Sequence, residues 1–521
     1  MKAPLTFVLS PWGEDIKKNA QQNGNYRMKI LFVIKDVEYI DPMGIMLLSA
    51  LAREKGHATA LSVMANGKLK EDVLREKPDI VAFSAKTGEH KYYLAANNLV
   101  KKLDKGIFTV MGGPHATFFP DIIVKYDIDA LCIGEGDDAW PELLTALKDK
   151  TPLDAIPNIV TRKNFTDGKM PVIRERRRSL DDLPFLDREL VYSATRLCRF
   201  PMRSFMVSRG CPYKCTYCFN HKYNMLYKGK GPLHSRMSVG RVIAELKDLK
   251  SRYETQFIKF YDDIFVLKDD EWLDEFSERY PLEIGVPFHC LMRANLLTEP
   301  ILLKLKKAGL ASMSMSIESG NDRIRNEVLK RNMTKETMTE AFDLCHKHGV
   351  PTFSNTIFAI PGTSLKEDIE SLDLNIRCRV TFGEFPLFFP YPKTELAEYA
   401  ISRGDFNGDF DALHMSYQAN SPLTCFTDEE KKLQRNLSLL ATVCVWKPSL
   451  RNLVINGLIR LPLGGLYFLL YYFVKAYLVK TRIYPMKFSF LNTLRGIYES
   501  FVLEKFKHTE EMFTKDELRK V

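Results

Sequence analysis

Short apolar runs alternate with amphipathic stretches of helical length from Met28 almost to residue 400. Lys29–Ile34 reads KILFVI, a continuous apolar run suited to a strand covered on both faces. Gly44–Lys55 follows with helical spacing and stops at Gly56, and Ala58–Val63 is strand-like again. Leu69–Glu76 predicts a helix, and Asp79–Ser84, Gly106–Gly112 and Ala130–Gly134 predict three more strands. Strands alternating with helices imply an α/β fold with a doubly wound parallel sheet. A second series begins at Ser204–Val207 and continues through Phe257–Tyr261, Pro287–Leu291, Ser312–Ile317, Thr352–Ile360 and Gly383–Phe389. Six such strand–helix units make a partial (β/α)6 barrel of TIM type, with its site at the carboxyl ends of the strands. The expected divisions are a tail over 1–27, a first domain over 28–150, a linker over 151–202, a barrel domain over 203–400 and a helical, basic and apolar region over 401–521.

Composition adds little until the charges are placed. At 521 residues, 45% hydrophobic and 27% charged, the chain is an ordinary folded protein with room for two or three cores. Residues 405–430 read as an acidic loop, with Asp405, Asp409, Asp411, Asp428, Glu429 and Glu430. From Lys431 to Tyr498 there are eleven lysines and arginines and no carboxylate, against +10 for the whole chain. The same stretch holds Leu461–Val474, fourteen residues without a charge. As helix that run spans about 21 Å, short of a hydrocarbon core of roughly 30 Å; extended to Val479 it reaches about 28 Å and includes Lys475. Three readings stay open: a helix lying on an anionic membrane surface, a core helix packed on the barrel, or a span. So apolar a segment argues against nucleic acid as the partner of its charge. The linker's basic run Arg174–Arg178 reads as a solvated face. Leu5–Ser10 is too short for a signal-peptide core, which points to the cytoplasm, with a peripheral place on the inner membrane face as the variant.

The chemistry concentrates at Cys211-Pro-Tyr-Lys-Cys215-Thr-Tyr-Cys218, three cysteines at C-x3-C-x2-C spacing. Thiolates this close converge on a soft metal centre rather than pairing as disulfides. A zinc knuckle completed by His221 is the alternative; a [4Fe–4S] cluster held by three thiolates leaves one iron open. The other seven cysteines, scattered among apolar residues, read as buried free thiols.

The stretch Ser208–Asn220 resembles the signature of the radical S-adenosylmethionine (SAM) superfamily. That resemblance implies a [4Fe–4S] cluster on Cys211, Cys215 and Cys218 whose open iron chelates SAM, reductive cleavage of SAM to a 5′-deoxyadenosyl radical, and Tyr217 beside the adenine. It also implies a one-electron reductant such as flavodoxin or ferredoxin. Asp262 and Asp263, after the second barrel strand, stand where an acceptor for the SAM ammonium is needed. Arg293 offers a fork to a carboxylate. Ser316–Gly320, with Glu318 and Ser319, is similar to the segment contacting the SAM ribose or carboxylate, and Gly362 of Ile360-Pro-Gly-Thr363 to the edge holding adenine. The first domain resembles the Rossmann-like cobalamin-binding domain that precedes many radical SAM domains. Its small residues at the strand ends, Ser84, Gly112, Gly113, Gly134, Glu135 and Gly136, are the implied cobalamin contacts. The Asp-x-His-x-x-Gly motif of methionine-synthase-type domains is absent; Asp41-Pro-Met-Gly44 lies near its place. The layout is similar to B12-dependent methyltransferases and anaerobic Mg-protoporphyrin ester cyclases. It implies methylation of an unactivated carbon of a small-molecule substrate, and a membrane place for the 461–479 segment would make that substrate apolar or lipid-like. An oxidative cyclase or rearrangement enzyme, and a cobalamin or redox sensor with a structural cluster, are the rivals.

Overall fold

The computed structural model describes residues 27–37, 39–410, 413, 420–486 and 513. The tail expected over the first residues and the last part of the basic segment lie outside them. In the first domain β1 (Lys29–Ile34), β2 (Ala58–Val63), β3 (Ile80–Ser84), β4 (Phe108–Gly112) and β5 (Ala130–Cys132) form a parallel sheet. Five of the six residues of β1 are buried, which explains its uninterrupted apolar sequence. The order β2-β1-β3-β4-β5-β6 reverses direction at β1, so a crevice opens at the carboxyl ends of β1 and β3. The sixth strand, β6 (Ile159–Thr161), pairs antiparallel with β5 and falls in the segment read as linker. Three residues are too few to show a period. The helix Met43–Glu54, here α1, and Ala139–Asp149 cover one face through Met46, Leu47 and Trp140.

The barrel domain carries β7 (Met202–Phe205), the short antiparallel pair β8 (Ser208–Arg209) and β9 (Ser235–Arg236), then β10 (Phe257–Phe260), β11 (Phe288–Leu291), β12 (Leu310–Ser314), β13 (Thr352–Asn355) and β14 (Phe382–Glu384). The six long strands are parallel in the order β7-β10-β11-β12-β13-β14, the partial barrel that the sequence predicts. Their outward residues join the helices in one core, where Phe260, Phe265, Phe276, Tyr280 and Phe288 are wholly buried. Each such ring contributes about 1.5–3 kcal/mol by leaving water.

After residue 400 two expectations change. Asp428, Glu429 and Glu430, read as the end of an acidic loop, are the first turn of helix α3 (Asp428–Trp446; α2 is the helix after the cysteine motif, Phe219–Leu226). Thr427 and Glu430 form a capping box, and the acidic turn complements the helix dipole. Thr442 Oγ1 donates to the Gly383 carbonyl at 2.8 Å, fastening α3 to the edge strand. The uncharged run becomes helix α4 (Gly464–Leu478). Its buried stripe, Tyr467, Tyr471, Val474 and Leu478, packs on the domain, and residues 479–484 run on beneath the barrel. Among the described residues no helix is long and apolar enough to cross a membrane. Fifteen residues of helix cover only about 22 Å, so the spanning reading of 461–479 is set aside.

Candidate active site at the domain interface

The cysteine loop starts where β7 ends, and the aspartate pair after β10 pins its beginning. Asp262 Oδ1 accepts from the Val207 and Ser208 amides at 3.0 and 2.6 Å and from the Ser208 hydroxyl at 2.5 Å. The side chain is fully buried, and burial pushes its carboxyl up to about 7 against the pull of those donors. Asp262 therefore holds the loop; the contact with a ligand ammonium that its position suggested is not made by this wholly buried side chain. Asp263 Oδ2 accepts from the Gly210 amide at 3.2 Å, while its side chain remains exposed. Further along, Thr216 Oγ1 donates to the Val328 carbonyl at 2.7 Å and Asn224 Nδ2 to the Cys211 carbonyl at 2.7 Å.

All ten cysteines are free thiols, and Cys215 is the buried member of the trio. Burial pushes the Cys211 thiol up to about 11 and that of Cys218 to about 12. Desolvated thiols of this kind become thiolates when a cation replaces the proton, which is what iron does. Among the described residues no three His, Cys, Asp or Glu side chains gather around a single-ion position. A cubane takes each thiolate on a separate iron and asks for no such convergence. The donor set fits a [4Fe–4S] cluster better than the zinc knuckle with His221, whose ring lies 3.9 Å from Glu395.

Beside Cys215 the structure gathers Tyr217, Arg293, Glu318 and a residue without a sequence signal, Arg331. The Tyr217 hydroxyl donates to Glu318 Oε1 at 2.8 Å and accepts from Arg331 Nη1 at 3.1 Å. Arg331 Nη2 donates to the Ser316 carbonyl at 2.6 Å. Arg293 reaches Cys215 Sγ at 3.4 Å, donates to the Arg331 carbonyl, and lies 3.8 Å over the Tyr213 ring. Glu318 is held in the left-handed region at φ 62° and buried; burial raises its carboxyl while Arg331 opposes the rise. Strain of this order, about 1–3 kcal/mol, persists where surrounding structure fixes a site. Two guanidinium groups and one carboxylate beside the thiols can receive the carboxylate and ammonium of an amino acid. Ser319 turns away, its hydroxyl accepting from the Asn321 amide at 3.3 Å. Gly362, at φ 76°, packs against the Arg403 guanidinium, 3.3 Å from where a Cβ would stand, outside this group.

A cavity of about 310 Å³ lies between the domains. Ser84, Gly112, Gly113, Gly134, Glu135 and Gly136 all line it, with Leu48, Trp140 and Leu183 as apolar wall and Phe205, Ser208 and Arg209 from the barrel side. Gly113, at φ 89°, leaves no room for a side chain: a Cβ would sit 2.8 Å from the Ala85 carbonyl oxygen. Small residues along one edge suit a broad flat ring, though a whole corrin exceeds this volume and needs the walls to part. Among the described residues no histidine lines the cavity. His115 stacks on His90 at 4.0 Å, and burial brings it down to about 3. Asp41, in the loop near the place of the absent Asp-x-His-x-x-Gly motif, instead locks the domains together, accepting from Arg188 at 2.8 Å, Tyr192 at 3.1 Å and the Ser204 amide at 2.9 Å.

The linker's basic run is a solvated face only in part, with Arg178 exposed and Arg176 withdrawn from water. Arg176 is buried, 3.3 Å from Glu135, and lies over the rings of Tyr223 and Tyr227 at 4.9 and 4.5 Å. Arg177 pairs with Asp138 and Arg174 with Glu142. Tyr227 accepts from the Glu135 amide at 2.6 Å, and Arg209, two residues before Cys211, pairs with Asp137. The Gly134–Asp137 loop of one domain is thereby tied to both flanks of the cysteine loop of the other.

Residues 205–374 match the radical SAM superfamily, and residues 31–144 match the B12 binding domain. The chain is a B12-binding radical SAM protein. Its cofactors are accordingly SAM with a [4Fe–4S] cluster, and cobalamin. It is 27% identical to an uncharacterized methyltransferase of Pyrococcus horikoshii, over 72% of this chain and 83% of that protein. It is 24% identical to the anaerobic magnesium-protoporphyrin IX monomethyl ester cyclase of Rubrivivax gelatinosus, over 68% of this chain and 65%, just under two thirds, of the cyclase. Among solved structures, the radical SAM methyltransferase TsrM of Kitasatospora setae superposes with a TM-score of 0.62 at 17% identity, over 88% of this chain and 99% of that one. That likeness is one of fold.

Proposed function

We propose that this enzyme transfers a methyl group to an unactivated carbon of an apolar, lipid-like substrate. Bound in their sites, the cluster and SAM supply a hydrogen-abstracting radical, and cobalamin supplies the methyl group. In this reading Cys211, Cys215 and Cys218 hold the cluster, Arg293 and Arg331 meet the SAM carboxylate, and Glu318 takes its ammonium. The glycine loops seat the corrin. The observation that carries the reading is the shared cavity: Phe205, Ser208 and Arg209, which lead into the cysteine loop, form its wall opposite Gly112 and Gly134. Two cofactors on one chamber suit group transfer to a radical formed there. The test is anaerobic incubation of the holoenzyme with methyl-labelled SAM, a reductant and a lipid extract. Label in an extracted product, with 5′-deoxyadenosine formed alongside, is expected. Deoxyadenosine without transferred label would favour the cyclase reading, and no deoxyadenosine at all would favour a sensor.

The lipid-like substrate rests on α4. Opposite its buried stripe, Leu466, Leu469, Leu470 and Phe473 are 58, 53, 38 and 67% exposed, an apolar face flanked by Arg460 and Lys480. An exposed contiguous apolar face beside basic residues suits an anionic membrane surface. Protein is expected to float with phosphatidylglycerol vesicles. The Leu469→Glu, Phe473→Glu double variant is expected to bind more than about tenfold less, since each side chain contributes about 1.5–3 kcal/mol when buried. Equal flotation of the two proteins would remove the membrane argument.

A further inference from the structure

Along β10, Ile258 and Phe260 point outward into the helical layer, so Phe257, Lys259 and Tyr261 point into the barrel. The lumen is floored by the end of the described C-terminal segment. Tyr484 stands edge-on to His289 at 5.1 Å and tilted against Phe257 at 5.7 Å, and Ser312 donates its hydroxyl to the Ile483 carbonyl. Barrels of this class usually fill their interior with apolar side chains. Here the inward residues Lys259, Tyr261, Ser314, Asn355 and Glu384 are only partly buried, so the interior keeps open space.

The charges in that space do not balance. Glu384 is matched by Lys475 at 2.7 Å and accepts from the Tyr471 hydroxyl at 2.8 Å. His289 is hydrogen-bonded through both ring nitrogens, to Ser312 at 2.7 Å and Ser314 at 2.8 Å. Burial and the neighbouring Lys259 hold it well below the usual histidine range, so it stays neutral. The Lys259 ammonium makes no ion pair or hydrogen bond among the described residues, though Glu384 attracts it at longer range; it lies over the rings of Tyr261 at 4.2 Å and Tyr484 at 5.0 Å. Burial brings that ammonium down to about 8, so it keeps its proton at neutral pH. Among the described residues the lower lumen thus carries one surplus positive charge, set between two aromatic faces.

We propose that Lys259 is a substrate-binding residue that receives an anionic group of the substrate, a carboxylate or a phosphate, while Tyr261 and Tyr484 pack against the apolar part adjoining it. A buried ammonium gains from a partner that aromatic faces alone do not provide, and a charge-assisted hydrogen bond orients the substrate as well as holding it. The inference rests on the proposed methyl-transfer reading, adds the barrel lumen as the place where the substrate's anionic end is held, and narrows the substrate to an acidic amphiphile.

The test uses reconstituted holoenzyme with benzoate, phenyl phosphate and benzyl alcohol as probes, followed by ligand-observed NMR. One of the two anions is expected to bind wild type about tenfold or more tighter than it binds Lys259→Met, the scale of one charge-assisted bond. The stronger of the two identifies the group. Lys259→Arg is expected to retain that anion, and benzyl alcohol is expected to bind wild type and Lys259→Met alike. Equal binding of both anions to wild type and Lys259→Met, or their failure to bind wild type, would overturn the proposal. Iron and corrin content equal to wild type verify that the variants fold. Deoxyadenosine formation by wild type is measured on the same preparations. If SAM is cleaved while the anions fail, the lysine site falls and the radical chemistry stands; if SAM is not cleaved, the enzymatic reading fails whatever the probes do.

Discussion

Reconstituted Cys215→Ala protein is expected to produce at least about 10³-fold less 5′-deoxyadenosine from SAM than the parent, equivalent to about 4 kcal/mol on the barrier. Cys215 is the buried one of the three motif thiols, and its sulfur accepts from Arg293, so its loss removes a ligand and leaves the guanidinium facing a void. Two thiolates and solvent hold a cubane poorly. Cys425→Ala is the control, because that thiol is exposed and remote from the motif in sequence. Iron content, visible absorbance and chromatographic assay of deoxyadenosine follow both variants. Undiminished cleavage in Cys215→Ala would show that the three thiols are not the ligands.

Gly210→Ala is expected to be nearly as damaging without removing any ligand. The glycine immediately before Cys211 sits at φ 86°, and a Cβ there would stand 2.3 Å from the Leu233 carbonyl oxygen. Left-handed backbone costs a non-glycine residue about 1–2 kcal/mol, and overpacking against a fixed group about 1–3 kcal/mol. The strain of roughly 2–5 kcal/mol falls on the segment that Asp262 and Asp263 pin, so relief must come by moving the cysteine loop. Iron content below about a fifth of wild type is expected, with a melting temperature lower by about 5–15 °C. Gly229→Ala isolates the steric part: its φ is 74°, yet nothing lies within 4 Å of the added Cβ. It is expected to keep its cluster. Equal loss in both variants would mean that backbone conformation alone, and not the contact with Leu233, sets the loop.

The strands that position the site were readable because burial writes itself into local sequence. Lys29–Ile34 and Ala58–Val63 fall where the apolar pattern places them, and the cysteine spacing marks the loop. Much of the charge was not readable. Arg331 meets Tyr217 across 114 residues and Arg209 meets Asp137 across 72, and nothing in the neighbourhood of either arginine distinguishes it from a surface residue. Arg176 misled for the same reason, since a run of basic residues looks solvated until Glu135 and two tyrosine rings cover one of them. Asp262 misled differently. Its position suggested a ligand contact, but its buried carboxylate accepts from the amides of Val207 and Ser208. The capping box at Thr427 was a local signal, obscured by the acidic residues that belong to the helix's own first turn.

The barrel is closed from below by a part of the chain made long after its strands. Glu384 leaves the ribosome ninety-one residues ahead of Lys475, the cation that neutralises it. Throughout that interval the nascent barrel has an open base and a carboxylate facing water. The base of the barrel is therefore completed only when α4 docks. Closure of the barrel base thus couples two parts of the chain that lie far apart in sequence, and Glu384 meets its cation only once both are in place.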